Sequence, residues 1–175
     1  MNSKTCPICE MGQLTPHTDK IMVEHLGQQG QIESQYAVCD CCGSEQAGAA
    51  ETRFNKRAMI AFKKQVQGLL TGFELESLRK HWGLTQAEAA KVFGGGPVAF
   101  SKYESDDVMQ SDAMDRLLRL AAVLPAALDK LLADAGVERS AQTSWQNIAV
   151  VDFSFTARKT RVVKSHELER EATYG

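Results

Sequence analysis

The stretch "TQAEAAKVFGGGPVAFSKYES", residues 85–105, decides the fold. Two short helical patterns flank three consecutive glycines, although each glycine costs a helix interior about 1 kcal/mol relative to alanine. The run therefore marks a turn. Thr85 and Glu88 make the T-x-x-E capping box of a first helix, and Pro97 suits the first position of a second, where it has no hydrogen bond to lose. The left-handed freedom of glycine lets the second helix set off abruptly in a new direction. Such a helix-turn-helix offers the N-terminal residues of its second member to the major groove of DNA. The candidate contacts are Pro97, Val98, Ala99, Ser101 and Lys102, with Gln86 beside Arg79 and Lys80 as further ligands for phosphate oxygens. A plain helical bundle with a glycine-rich turn accounts equally well for the apolar positions Leu84, Ala89, Val92, Phe93 and Phe100, but leaves that polar set without a purpose.

Working outward, "FELESLRKHWG", "SDAMDRLLRLAAVL" and "PAALDKLLADAG" complete five short helices over 73–136. The segment "LLRLAAVLPAALDKLL", 117–132, holds more leucine than one short helix pair needs for its own core, which predicts a homodimer. Upstream, Phe54, Ala58, Ala61, Phe62, Val66 and Leu69 recur at helical spacing, predicting a connecting helix that closes at "LLTG", with a hinge at Gly68–Gly72. Between Arg53 and Gln67 the basic residues Arg53, Lys56, Arg57, Lys63 and Lys64 meet no acidic neighbour. Their offsets place them along one stripe, either a solvated face or a footprint on phosphates to which Arg53, Arg57 and Lys64 contribute.

The N-terminal segment carries C-x-x-C twice, Cys6 and Cys9 in "CPIC" and Cys39 and Cys42 in "CDCC". Four thiolates suit tetrahedral Zn²⁺ in a closed structural site, one ion per chain, with no open position for a substrate or water. Cys41 is out of register and reads as a bystander, and His17 and His25 as hairpin surface. Between the knuckles "KIMVEHL" and "QIESQYAV" are strand-like, joined by "GQQG". A segment this small needs the metal in order to fold.

Composition bounds the rest. A chain of 175 residues, 43% hydrophobic and 24% charged, can bury a core with a smaller appendage. The formal net charge of −2 is uninformative, because nucleic-acid binding needs local rather than global positive charge. No stretch approaches the roughly 20 apolar residues of a membrane span, and "MNSKTCPICE" lacks the layout of a secretory signal, so the expected location is cytoplasmic. There is no P-loop, no nucleophile–base pair at a recognisable spacing and no open metal site, so no enzymatic activity is expected. After Gly136, "SWQNIAVVDFSFTARKTRVV" reads as one or two strands followed by basic residues, a segment expected to bind a partner, to self-associate or to stay mobile, partner binding being favoured.

"CPIC" and "CDCC" followed by "LTQAEAAKVFGGGPVAFSKYE" resemble the MqsA-type antitoxins, also described as YgiT-type zinc-finger proteins. The likeness spans roughly Cys6 to Gly136. It implies an N-terminal zinc domain that grips a ribonuclease toxin, and an Xre-like helix-turn-helix domain that dimerises and represses its own operon at a palindromic operator. The family pattern places a base-reading asparagine and arginine where this chain has Val98 and Lys102. Asparagine pairs bidentately with adenine and valine can only touch a thymine methyl, so a different operator sequence is expected.

The expected fold is mainly α with a small β zinc-binding domain: zinc hairpin over 1–50, connecting helix and hinge over 51–72, five-helix domain over 73–136 and a strand-forming tail over 137–175. A stand-alone zinc-ribbon and helix-turn-helix regulator, or a protein-binding adaptor without a toxin, is the alternative.

Overall fold

The computed structural model describes residues 4–138, so the strands and basic cluster expected in the tail lie outside the described residues. An antiparallel sheet comes first, in the order β1-β2-β3-β4: β1 (Lys4–Thr5), β2 (Gln13–His25), β3 (Gln28–Cys39) and β4 (Glu45–Gln46). The helices α1 (Ala49–Gln67), α2 (Gly72–His81), α3 (Gln86–Phe93), α4 (Ala99–Glu104), α5 (Asp112–Val123) and α6 (Pro125–Ala135) follow. The architecture is the mainly α fold with a small β cysteine domain that the sequence predicts.

The hairpin differs from expectation in its turn. His25 pairs with Gln28, so the connection is the two-residue Leu26–Gly27, with φ of 51° and 73°, and "GQQG" is mostly strand. Positive φ at both central residues is the type I′ geometry, whose twist matches that of the flanking strands. Gly30 instead serves a close approach, since a Cβ there would stand 2.3 Å from the Phe62 ring of α1. The same helix closes an open edge of β3: the Asn55 side chain accepts from the Gln35 N–H at 2.7 Å and donates to its carbonyl at 2.8 Å. Helix α1 therefore acts toward β3 as a neighbouring strand would, satisfying backbone groups that an edge leaves bare.

The segment read as a hinge is tied down. Leu69 and Leu70 are buried, and the Asp115 carboxylate accepts from the Leu70 N–H at 2.7 Å. Gln110 donates to the Leu70 carbonyl at 2.7 Å, and Arg119 to that of Gly68 at 3.0 Å. Helix α2 then opens on a capping box of Thr71 and Glu74, and α3 on the expected one of Thr85 and Glu88. Trp82 stacks on Phe93 with centroids 5.1 Å apart, and Phe100 packs tilted against Phe93 at 5.9 Å, within the helical core.

All three glycines of the turn have positive φ, 88°, 94° and 88°, and Gly94 combines it with ψ −167°. No L-side chain adopts that last combination cheaply. Pro97 does not begin the helix as expected. It and Val98 form a turn closed by the Ala99 N–H on the Gly96 carbonyl at 3.0 Å, so that α4 starts at Ala99. Proline suits the second position of a β-turn for the same fixed φ that suits a helix start. We predict that Gly94→Ala destabilises the protein by about 1–3 kcal/mol in thermal or urea unfolding. Nothing lies within 4 Å of a Cβ at that position, so a loss would report backbone conformation alone.

Candidate metal centre and nucleic-acid interface

The two cysteine knuckles sit at the open end of the hairpin, one entering β2 and one leaving β3. Each is a tight loop: the Glu10 N–H donates to the Cys6 carbonyl at 2.9 Å, and the Gly43 N–H to that of Cys39 at 3.0 Å. The Sγ atoms of Cys6, Cys9, Cys39 and Cys42 all lie within 4.8 Å of one another. Cys6 and Cys42 are 3.8 Å apart, and Cys9 and Cys39 are 3.6 Å apart. A tetrahedral ion with ligand bonds of about 2.3 Å separates its sulfurs by about 3.8 Å, so the Cys6–Cys42 and Cys9–Cys39 separations match it and the remaining ones need close by no more than about 1 Å.

Backbone amides favour the ionised sulfurs. N–H groups of Ile8 and Gly12 reach Cys6 and Cys9 at 3.4 Å, and those of Cys41 and Cys42 reach Cys39 at 3.4 and 3.5 Å. Backbone donation at its own knuckle lowers the Cys6 thiol to about 5, helped by Ser44 and opposed by burial, and Cys9 is lowered by the Met11 and Gly12 amides. Cys39 moves the other way: the Cys42 amide favours its thiolate, but burial and the neighbouring thiols together push it up. Cys41 is exposed and outside the four-sulfur group. His17 stacks on Tyr36 at 5.6 Å, and His25 meets Gln67 at 2.8 Å, both away from the metal ligands.

In the helical part, Pro97, Val98, Ser101 and Lys102 are exposed around the start of α4, Val98 to 55%. Four other residues proposed as DNA contacts are placed differently. Ala99 is buried, because the turn before it rotates that side of α4 into the core. Gln86 is half-buried and donates to Glu104 at 2.8 Å. Arg57 pairs through two nitrogens with Asp107, at 2.7 and 2.9 Å. Lys64 is fully buried, its ammonium donating to the Tyr103 carbonyl at 2.8 Å and to Asp106 at 2.5 Å. Arg79, read beside them, is clamped on Glu104 and on the Leu84 carbonyl.

The basic stripe of α1 is thus divided. Arg57 and Lys64 face the turn that follows α4, and Arg53 and Lys56 remain exposed. Sequence reasoning missed the acids that receive these bases, Glu104, Asp106 and Asp107, although "YESDD", which ends the second helix and forms the turn after it, was the available signal.

The described residues thus form a two-knuckle cysteine hairpin joined by one helix to a helix-turn-helix. The family described as the antitoxin component of a bacterial toxin–antitoxin system, MqsA, matches residues 4–132, and the chain belongs to that family. It is also similar to the antitoxin MqsA of Escherichia coli (strain K12), 27% identical over 135 residues that cover 72% of this chain and 98% of that protein. No helix among the described residues is long and apolar enough to cross a membrane.

The Arg57 pair supplies a pH prediction. Hydrogen bonding to Arg57, with Ser105 assisting and burial opposing, lowers the Asp107 carboxyl to about 2. A depressed carboxyl stabilises the folded state above its unfolded value of about 4, and that contribution is lost as pH falls through about 2. An NMR titration of the Asp107 carboxyl should find its midpoint near the lower value, and Arg57→Gln should return it toward the upper one.

Proposed function

We propose that this chain is the antitoxin and transcriptional repressor of a toxin–antitoxin pair: it neutralises a toxin protein and, as a homodimer, binds a palindromic operator in front of its own genes. Membership of the antitoxin family implies the toxin partner, and a ribonuclease is the expected kind. The observation that carries the DNA reading is the exposure of Pro97, Val98, Ser101 and Lys102 together, at the start of a helix separated from its neighbour by the three-glycine turn. That is how a recognition helix meets a major groove.

Lys102 supplies a donor for guanine or phosphate, and Val98 an apolar contact for a thymine methyl. Ser101 is suited to phosphate or a base edge. Arg53, exposed on α1, adds positive charge for the phosphate backbone. Leu120, Val123 and Leu124 are exposed at the α5–α6 junction, an apolar group that a second copy would cover in the proposed dimer. One Zn²⁺ per chain suits the Cys6, Cys9, Cys39 and Cys42 group, whose soft thiolates and tetrahedral spacing favour it over harder ions. Its role is structural, and no residue is assigned a catalytic one.

A gel shift with the duplex upstream of the protein's own gene tests the DNA reading: preference over random duplex, weakening with salt, is expected, and indifference to sequence rejects it. Lys102→Ala should cost about 1–3 kcal/mol on that duplex if the lysine reads a base, whereas an equal loss on every sequence assigns it to phosphate. For the metal, Cys39→Ser should abolish stoichiometric zinc and co-purification with the product of the adjacent gene. Undiminished zinc content in that variant would remove Cys39 from the ligand set.

A further inference from the structure

Helix α1 is bonded at both ends of its reach. Toward the hairpin it holds the backbone of β3 through Asn55 and meets Gly30 through Phe62. Toward the helical half, Lys64 and Arg57, one two-turn step apart on α1, hold Asp106 and Asp107. These aspartates form the turn on which α4 ends. The N–H groups of Asp107 and Val108 donate back to the Lys102 carbonyl at 2.9 and 3.2 Å, and the Tyr103 carbonyl accepts the Lys64 ammonium at 2.8 Å.

A helix C-terminus leaves carbonyls without partners and carries partial negative charge, and a cation placed there satisfies both. Here that cation comes from a different helix, and its side chain is fully buried. An ammonium without solvent must keep its partners, so Lys64 cannot move away from Tyr103 and Asp106 without being stranded in an apolar surrounding. Asp106 is itself held in the left-handed region, φ 56°, so the turn has few other shapes to adopt.

We propose that Lys64, with Asp106, is a positioning residue for the recognition helix. Through this pair and its outer companion Arg57–Asp107, α1 sets the orientation of α4, and the state of the cysteine hairpin is transmitted to Val98, Ser101 and Lys102. The inference rests on the reading that α4 contacts DNA. It makes the two halves of the chain interdependent: an event that displaces or melts α1 on its hairpin side weakens DNA binding.

The test compares four full-length proteins: unaltered, Lys64→Met with Asp106→Asn, Cys39→Ser, and all three changes combined. Removing both members of the pair leaves no lone charge buried, and asparagine tolerates the left-handed backbone at 106. Hydrogen–deuterium exchange of the 101–108 amides and affinity for the upstream duplex are measured on each. The paired variant should exchange about tenfold faster in that segment, with α5 and α6 still protected, and bind the duplex about tenfold more weakly.

Cys39→Ser should do the same, and the combined protein should be no worse than either, because both changes cut one connection. Unchanged exchange over 101–108 in the paired variant, or effects that multiply in the combined protein, overturns the proposal. If the unaltered protein shows no preference for the upstream duplex, the DNA reading fails and the exchange measurements alone decide whether α1 positions α4. Should Lys64→Met with Asp106→Asn fail to fold, Arg57→Gln with Asp107→Asn acts on the outer pair. There a rise of about threefold in the same amides is expected, and no rise counts against the proposal.

Discussion

The N-terminal hairpin of this protein has almost no apolar interior, and that constraint shapes everything attached to it. Between residues 5 and 48 the only buried side chains belong to Cys6 and Cys39, both in the four-sulfur group. A long hairpin whose first strand is mostly exposed cannot hold itself together by burying hydrocarbon. It is fixed instead at one end by the thiol cluster and along one face by α1. The cluster takes the place a hydrophobic core would have, and α1 is as much part of the hairpin as of the helical half.

The helical half is built in the opposite way, around stacked aromatic rings and leucines with satisfied helix ends. Its polar interior is organised rather than sparse. Asp115 accepts from the N–H of Leu70 and Gln110 donates to its carbonyl, and Glu104 gathers Arg79 and Gln86. These interactions hold the chain entering α2 and the end of α4 against the same core. They leave the start of α4 open to solvent. Bond geometry in the glycine turn and charge pairing at the far end of α4 therefore act together on one exposed surface.

What could be read from the sequence was local. The cysteine knuckles, the Thr85–Glu88 capping box and the glycine run each declare themselves within a few residues, and each is found in place. The hairpin turn escaped notice because Leu26 gives no warning that it adopts a left-handed backbone, while "GQQG" advertises a loop that is not there. The basic residues of α1 were open to misreading for a different reason. Arg57 and Lys64 lie about forty to fifty positions from the aspartates that receive them, and no window of sequence joins the two groups. A stripe without acids nearby in sequence is not a stripe without acids nearby in space, and only the fold tells them apart.

The burial of Lys64 has a further consequence for how the molecule responds to heat. Keeping an ammonium away from water becomes less costly as temperature rises, because ionic hydration carries an unfavourable entropy. The exposed strands of the hairpin gain no such relief. On warming, fraying should start at the Leu26–Gly27 tip and travel toward the knuckles, with the lysine anchor among the last contacts to part.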